Sequence, residues 1–117
     1  PGITVAVAKD RAIESFMQVK KTFVINILRE DNFQKMFRHF LKRFKPGANR
    51  FADVDVIKDL AKGGPVLADS LAYLDCEVIS RLETPDHWII YGIVENGSVS
   101  DLSCKTAVHH RKVSNHY

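Results

Sequence analysis

Residues 3–8 (Ile-Thr-Val-Ala-Val-Ala) form a short, nearly unbroken apolar run rich in β-branched side chains, which predicts a strand buried on both faces. It stops at three charged residues, Lys9-Asp10-Arg11. A helical spacing then begins, with Ala12, Ile13, Phe16 and Met17 on one face. Asp10 stands where an N-cap would, its carboxylate able to accept from the free amides of the first turn. Residues 22–28 predict a second core strand, with Phe23, Ile25 and Ile27 on one face and Val24, Asn26 and Leu28 on the other. Asn26 is then an amide among apolar neighbours and needs partners if buried, most simply nearby backbone. Asn32 caps a predicted amphipathic helix in which Phe33, Met36, Phe37, Phe40 and Leu41 fall at i, i+3, i+4, i+7 and i+8. Lys35, Arg38 and Lys42 lie opposite, and Pro46-Gly47 closes the element.

Residues 50–64 read as loop with one short helix over 56–61, ended by Gly63-Gly64-Pro65. The longest strand pattern covers 71–83. Ala72, Leu74, Cys76, Val78 and Leu82 point to a buried face, and Tyr73, Asp75, Glu77, Arg81 and Glu83 to a wet or subunit-facing one. Thr84-Pro85-Asp86 makes a turn and residues 87–94 return antiparallel, with Gly92 marking a bend or a close backbone approach. Asn96-Gly97 is a two-residue hairpin signal. The order of elements predicts an α+β fold, a curved antiparallel sheet or barrel flanked by helices. A doubly wound α/β sheet fits less well, because the later strands meander without helices between them.

At 117 residues the chain is bounded to one domain. Its net charge of +3 is too mild to argue for nucleic acid without a clustered patch. No apolar run approaches the ~18 residues of a membrane span. The basic helix leaves a membrane surface, an acidic partner, a dinucleotide phosphate or an ordinary solvated face open. Cys76 and Cys104 match no metal-ligand spacing, and Cys76 is expected as a buried free thiol in a reducing, cytoplasmic setting. A Pro-Gly start directly against a buried strand suggests part of a longer chain.

No nucleophile elbow, Walker motif, Rossmann glycine fingerprint or Cys/His cluster is present, and His109 and His110 are adjacent, so their side chains diverge; no metal is expected. Lacking its own acid–base machinery, an enzyme of this kind would take its chemistry from a cofactor. The Lys9-Asp10-Arg11 turn gathers amides, a helix end and two cations, which suits an anion such as a phosphate, or is an ordinary capped turn with solvated charges.

Several stretches together resemble one family. Gly2-Ile3-Thr4-Val5-Ala6-Val7-Ala8-Lys9-Asp10-Arg11-Ala12, Phe23-Val24-Ile25-Asn26-Ile27-Leu28, Arg50-Phe51-Ala52, Leu71-Ala72-Tyr73-Leu74-Asp75-Cys76, Asp86-His87-Trp88 and His109-His110-Arg111-Lys112 occur in the order found in flavin reductase-like, FMN-binding split-barrel domains. The wording is similar to the C-terminal domain of cyanobacterial flavodiiron proteins, the diflavin flavoproteins. The resemblance spans residues 1–117 and implies a split β-barrel flanked by helices, here lacking its N-terminal strands. It implies a homodimer that binds FMN, accepts hydride from NADH or NADPH, and passes electrons to the flavodoxin-like and O2-reducing diiron domains of the same full-length chain. Carried over by position, Lys9, Asp10, Arg11 and Ala12 match a segment that contacts the flavin and its phosphate. His87 matches a catalytic-site histidine near the flavin and the nicotinamide. Pro85 departs from the family, which often has Gly before the Asp-His pair. The alternative is a non-catalytic flavin-binding or dimerisation module.

Overall fold

The structure is a computed structural model that describes residues 1–108; the His109-His110-Arg111-Lys112 motif lies outside them. Its frame is one long antiparallel hairpin, β5 (Ala72–Glu83) and β6 (His87–Val99). β1 (Gly2–Ala8) adds to β6 and β2 (Thr22–Ile27) to β5, giving a four-stranded sheet in the order β1-β6-β5-β2. The sheet curls so far that side chains of both edge strands, Val5 and Ile25, pack on one core of Val7, Met17, Phe23, Cys76, Val78 and Ile90. The result is half a barrel, split between β1 and β2. Cys76 is a free buried thiol there, and burial pushes its pKa up.

The helix α1 (Phe33–Phe40) and a small ribbon, β3 (Val56–Ile57) with β4 (Val66–Leu67), form a second core around Met36, Val54 and Leu67. Asn26 ties this ribbon to the sheet: Nδ2 donates to Pro65 O at 3.2 Å, and Oδ1 accepts from Leu67 N at 2.8 Å. The amide does bond backbone, though backbone remote in sequence. This pinning also explains why the helix expected over 56–61 is absent. Val56 and Ile57 are β-branched and find an extended partner in β4.

Other expectations need correction. β1 is an edge strand buried on one face only; Thr4 and Ala6 are exposed, and their small side chains made the run look uniformly apolar. Asn96-Gly97 is not a turn but lies inside β6, where Glu95 is extruded as a bulge between the pairs Asp75–Asn96 and Cys76–Val94. A second bulge at Ile79, between Val78–Gly92 and Ser80–Tyr91, inverts the alternation of β5. Leu82 therefore faces solvent, 65% exposed, and Arg81 turns inward. The close approach expected at Gly92 is real: a Cβ there would stand 3.1 Å from the Phe23 ring. α1 ends at Phe40, so Leu41 lies past its last turn and is 67% exposed.

Asp75, assigned from the sequence to the wet face, is buried. Its two oxygens accept from Lys62 N at 2.7 Å and Gly63 N at 3.0 Å. The loop can come this close because residue 63 has no Cβ; one would lie 2.4 Å from the Phe23 carbonyl carbon.

Candidate functional site

An open cleft of about 900 Å³ lies at the split of the half-barrel. Its floor is apolar, made by Val5, Val7, Met17, Phe23 and Ile25. One end of the rim is charged and carries Lys9, Asp10, Arg11, Asp86 and His87. The register explains this meeting of distant segments. Ala8 pairs with His87, and Lys9 N donates to Asp86 O at 3.0 Å, so the turn after β1 is bound to the β5–β6 turn.

Each side chain expected at the site has a distinct position. Lys9 Nζ is 3.2 Å from Glu83 Oε2 and 5.5 Å from the Trp88 ring, so its charge is already shared. Arg11 is 76% exposed and only 4.0 Å from Asp10 Oδ1, which leaves it the freest cation of the turn. Ala12 is exposed and opens the following helix; it is not among the residues lining the cleft. That helix is a single five-residue 3-10 turn, η1 (Ala12–Phe16). Arg11, not Asp10, occupies its N-cap position, and no side chain caps it. So short a helix has little dipole to offer. The positive charge at this end therefore lies in the Lys9 and Arg11 side chains and not in a helix end.

His87 both lines the cleft and braces the turn. Its Nδ1–H donates to Asp86 Oδ1 at 3.0 Å, which leaves Nε2 without a protein partner among the described residues. Thr84 Oγ1 accepts from His87 N at 3.0 Å and donates to His87 O at 2.9 Å. The bond from His87, aided by the charge of its ring and by Asp86's own backbone amide, holds the Asp86 carboxyl below the usual carboxylate range.

A group that the sequence pattern concealed stands beside the cleft. Arg81 donates from Nη2 to Glu14 Oε1 and from Nη1 to Gln18 Oε1, and its guanidinium lies 4.0 Å from the Trp88 ring centroid. Only the bulge at Ile79 brings it inward, and no local pattern announces that bulge. The basic face of α1 borders a separate hollow of about 760 Å³, where Lys35, Arg38 and Lys42 are interspersed with Glu30, Asp31 and Asp53. Among the described residues no helix is long and apolar enough to cross a membrane.

A curled antiparallel half-barrel with an amphiphilic cleft at its split defines the chain as a flavin-reductase type of split barrel. Residues 1–115 match the Flavin reductase like domain, and the chain belongs to that family. It is 61% identical over 117 residues to diflavin flavoprotein A 1 of Synechocystis sp., matching 100% of this chain and 20% of that protein. The chain thus spans about a fifth of the length of the curated relatives it matches. Among solved structures, the NADH:FAD oxidoreductase SgcE6 of Streptomyces globisporus superposes with a TM-score of 0.80 at 26% identity, covering 91% of this chain and 62% of that one. The flavin reductase HpaC, solved with NADP+, superposes with a TM-score of 0.67 at 26% identity, covering 85% and 60%.

Proposed function

We propose that this domain is an NAD(P)H:flavin oxidoreductase module that holds FMN in the cleft between β1 and β2. One observation carries the reading: an apolar floor and two cations meet in a single open groove whose rim also holds His87. The floor of Val5, Val7, Phe23 and Ile25 suits the face of a flat aromatic ring. The Lys9–Arg11 end suits a phosphate, with Arg11 its principal contact because Glu83 already holds Lys9. Asp10 and Ala12 contribute the backbone of the same turn. His87, its ring fixed by Asp86 through Nδ1, keeps Nε2 for the ligand on the same rim and acts by positioning and polarity. FMN, when bound, supplies the hydride-accepting chemistry toward NADH or NADPH. In a full-length diflavin chain the electrons then pass to flavodoxin-like and O2-reducing diiron domains, in the cytosol. The two open sheet edges suit pairing of two such domains as a homodimer.

The openness of the groove favours a second reading, a flavin-holding module without turnover. Titration of the chain with FMN, followed by NADH and NADPH oxidation by the loaded protein, separates the two. Saturable binding with reduced-nicotinamide turnover is expected. Binding without turnover would leave the holding module, and absence of saturable FMN binding would end both readings.

A further inference from the structure

The helix η1 buries none of its own residues, and Ile13 and Phe16 are 55% and 70% exposed. Something other than its own packing must fix it. Among the described residues, Met17, 3% exposed in the core just after the helix, and the pair of bonds from Arg81 to Glu14 and Gln18 do so, while the backbone of Lys20 and Lys21 bonds to Val78 further along the connection. These partners are 67 and 63 residues from Arg81 in sequence, so the bonds fasten the β1–β2 connection to the far side of the hairpin. Arg81 is itself braced. Its side chain is only 11% exposed and its guanidinium lies against Trp88, the neighbour of His87 and the register partner of Val7. Glu14 stands three residues after Arg11, and Ile13 between them lines the cleft.

We propose that Arg81 is a positioning residue for the anion end of the cleft. By latching Glu14 and Gln18 it holds η1, and through η1 it fixes the cleft wall at Ile13 and the aim of the Arg11 side chain. The inference rests on the reading of the cleft as a site for a phosphorylated flavin, and it adds a group that never touches the ligand. A buried ion pair is weak evidence of stability by itself, but it is a strong constraint on geometry. The latch should therefore be felt in selectivity more than in folding.

The test is Arg81→Met, which removes both bonds and puts an uncharged thioether of similar reach where the guanidinium lay against Trp88. Amide exchange of residues 12–17 should accelerate about tenfold or more, since the segment loses the side-chain bonds that hold its middle. The dissociation constant for FMN should rise about tenfold while that for riboflavin changes less than about twofold, because only FMN offers a phosphate. Arg81→Lys should recover part of the FMN preference, since one ammonium replaces the two-armed fork. Glu14→Ala with Gln18→Ala removes both acceptors, cuts the same latch from the other side and serves if Arg81→Met folds poorly. Unchanged exchange in residues 12–17 overturns the latch. Faster exchange with equal weakening of both flavins overturns the positioning role and leaves a structural one. A wild-type chain that binds both flavins equally would end the phosphate reading of the cleft and the positioning role with it, while the exchange rates still report the latch.

Discussion

Asp75 and His87 sit toward opposite ends of the same hairpin and handle charge in opposite ways. Asp75 is 4% exposed, and each of its oxygens is taken by a backbone amide of the 62–63 loop. Its geometry is closed, and nothing remains for a ligand to use. His87, with Lys9 and Arg11, lies in the open. The imidazole commits one nitrogen to Asp86 and keeps the other, Lys9 shares its charge with Glu83, and Arg11 keeps most of its own. Asp75 is buried and saturated, as a polar group in the fold should be, because an unmet buried group costs its full desolvation. Groups that serve a ligand must keep unspent capacity, and only solvent makes that tolerable before the ligand arrives.

The contrast can be broken by substitution, most severely at the saturated end. Asp75→Ala strands the Lys62 and Gly63 amides beside the sheet and should cost ~2–4 kcal/mol of stability. The midpoint of urea unfolding should fall accordingly, with flavin affinity intact in whatever remains folded. A midpoint equal to wild type would mean that the loop rehydrates freely and that the burial of Asp75 holds nothing.

At the open end the order reverses. Arg11→Ala should leave the unfolding midpoint alone and weaken FMN about tenfold, with riboflavin unaffected, as expected of a charge-assisted contact at a largely exposed position. Equal loss for both flavins would place Arg11 away from the phosphate. His87→Ala should slow reduction of pre-loaded FMN by NAD(P)H several-fold, with FMN affinity within about threefold. The same substitution removes the Asp86 brace, so a lowered melting temperature with an unchanged reduction rate would make His87 a turn residue only.

The smallest effect concerns pH. The folded-state pKa of Asp86 is depressed, chiefly by the bond from His87. Its contribution to stability is therefore present above the unfolded carboxyl value of about 3.9 and is lost as pH falls through the lower, folded value. Asp86→Asn should flatten the acid limb of the stability profile below about pH 4 and leave the neutral plateau unchanged. A parallel acid limb in the variant would show that other carboxylates, such as Asp31 and Asp101, whose pKa values are also depressed, dominate it.

Much of this architecture is written locally. Alternating apolar positions marked β2, the two arms of the hairpin and the apolar stripe of α1, because periodicity follows from each element's own geometry. The Thr84-Pro85-Asp86 turn and the need of Asn26 for partners were legible for the same reason. The ordered motifs that resemble flavin reductase-like domains were also readable, and they pointed to the two segments that the β1–β6 register brings to one cleft. What the sequence could not decide depends on partners distant in the chain. The apolar run of β1 became one-sided because β1 is an edge; Val56 and Ile57 became strand because β4 was available to pair; and Asp75 was buried because a glycine let the 62–63 loop reach it. Above all, the bulge at Ile79 reversed the facing of Arg81 and Leu82. A bulge costs little in local sequence preference and is chosen by how two strands fit their common curvature. For that reason the family resemblance could single out Lys9, Arg11 and His87 as candidates, while only the folded sheet revealed Arg81.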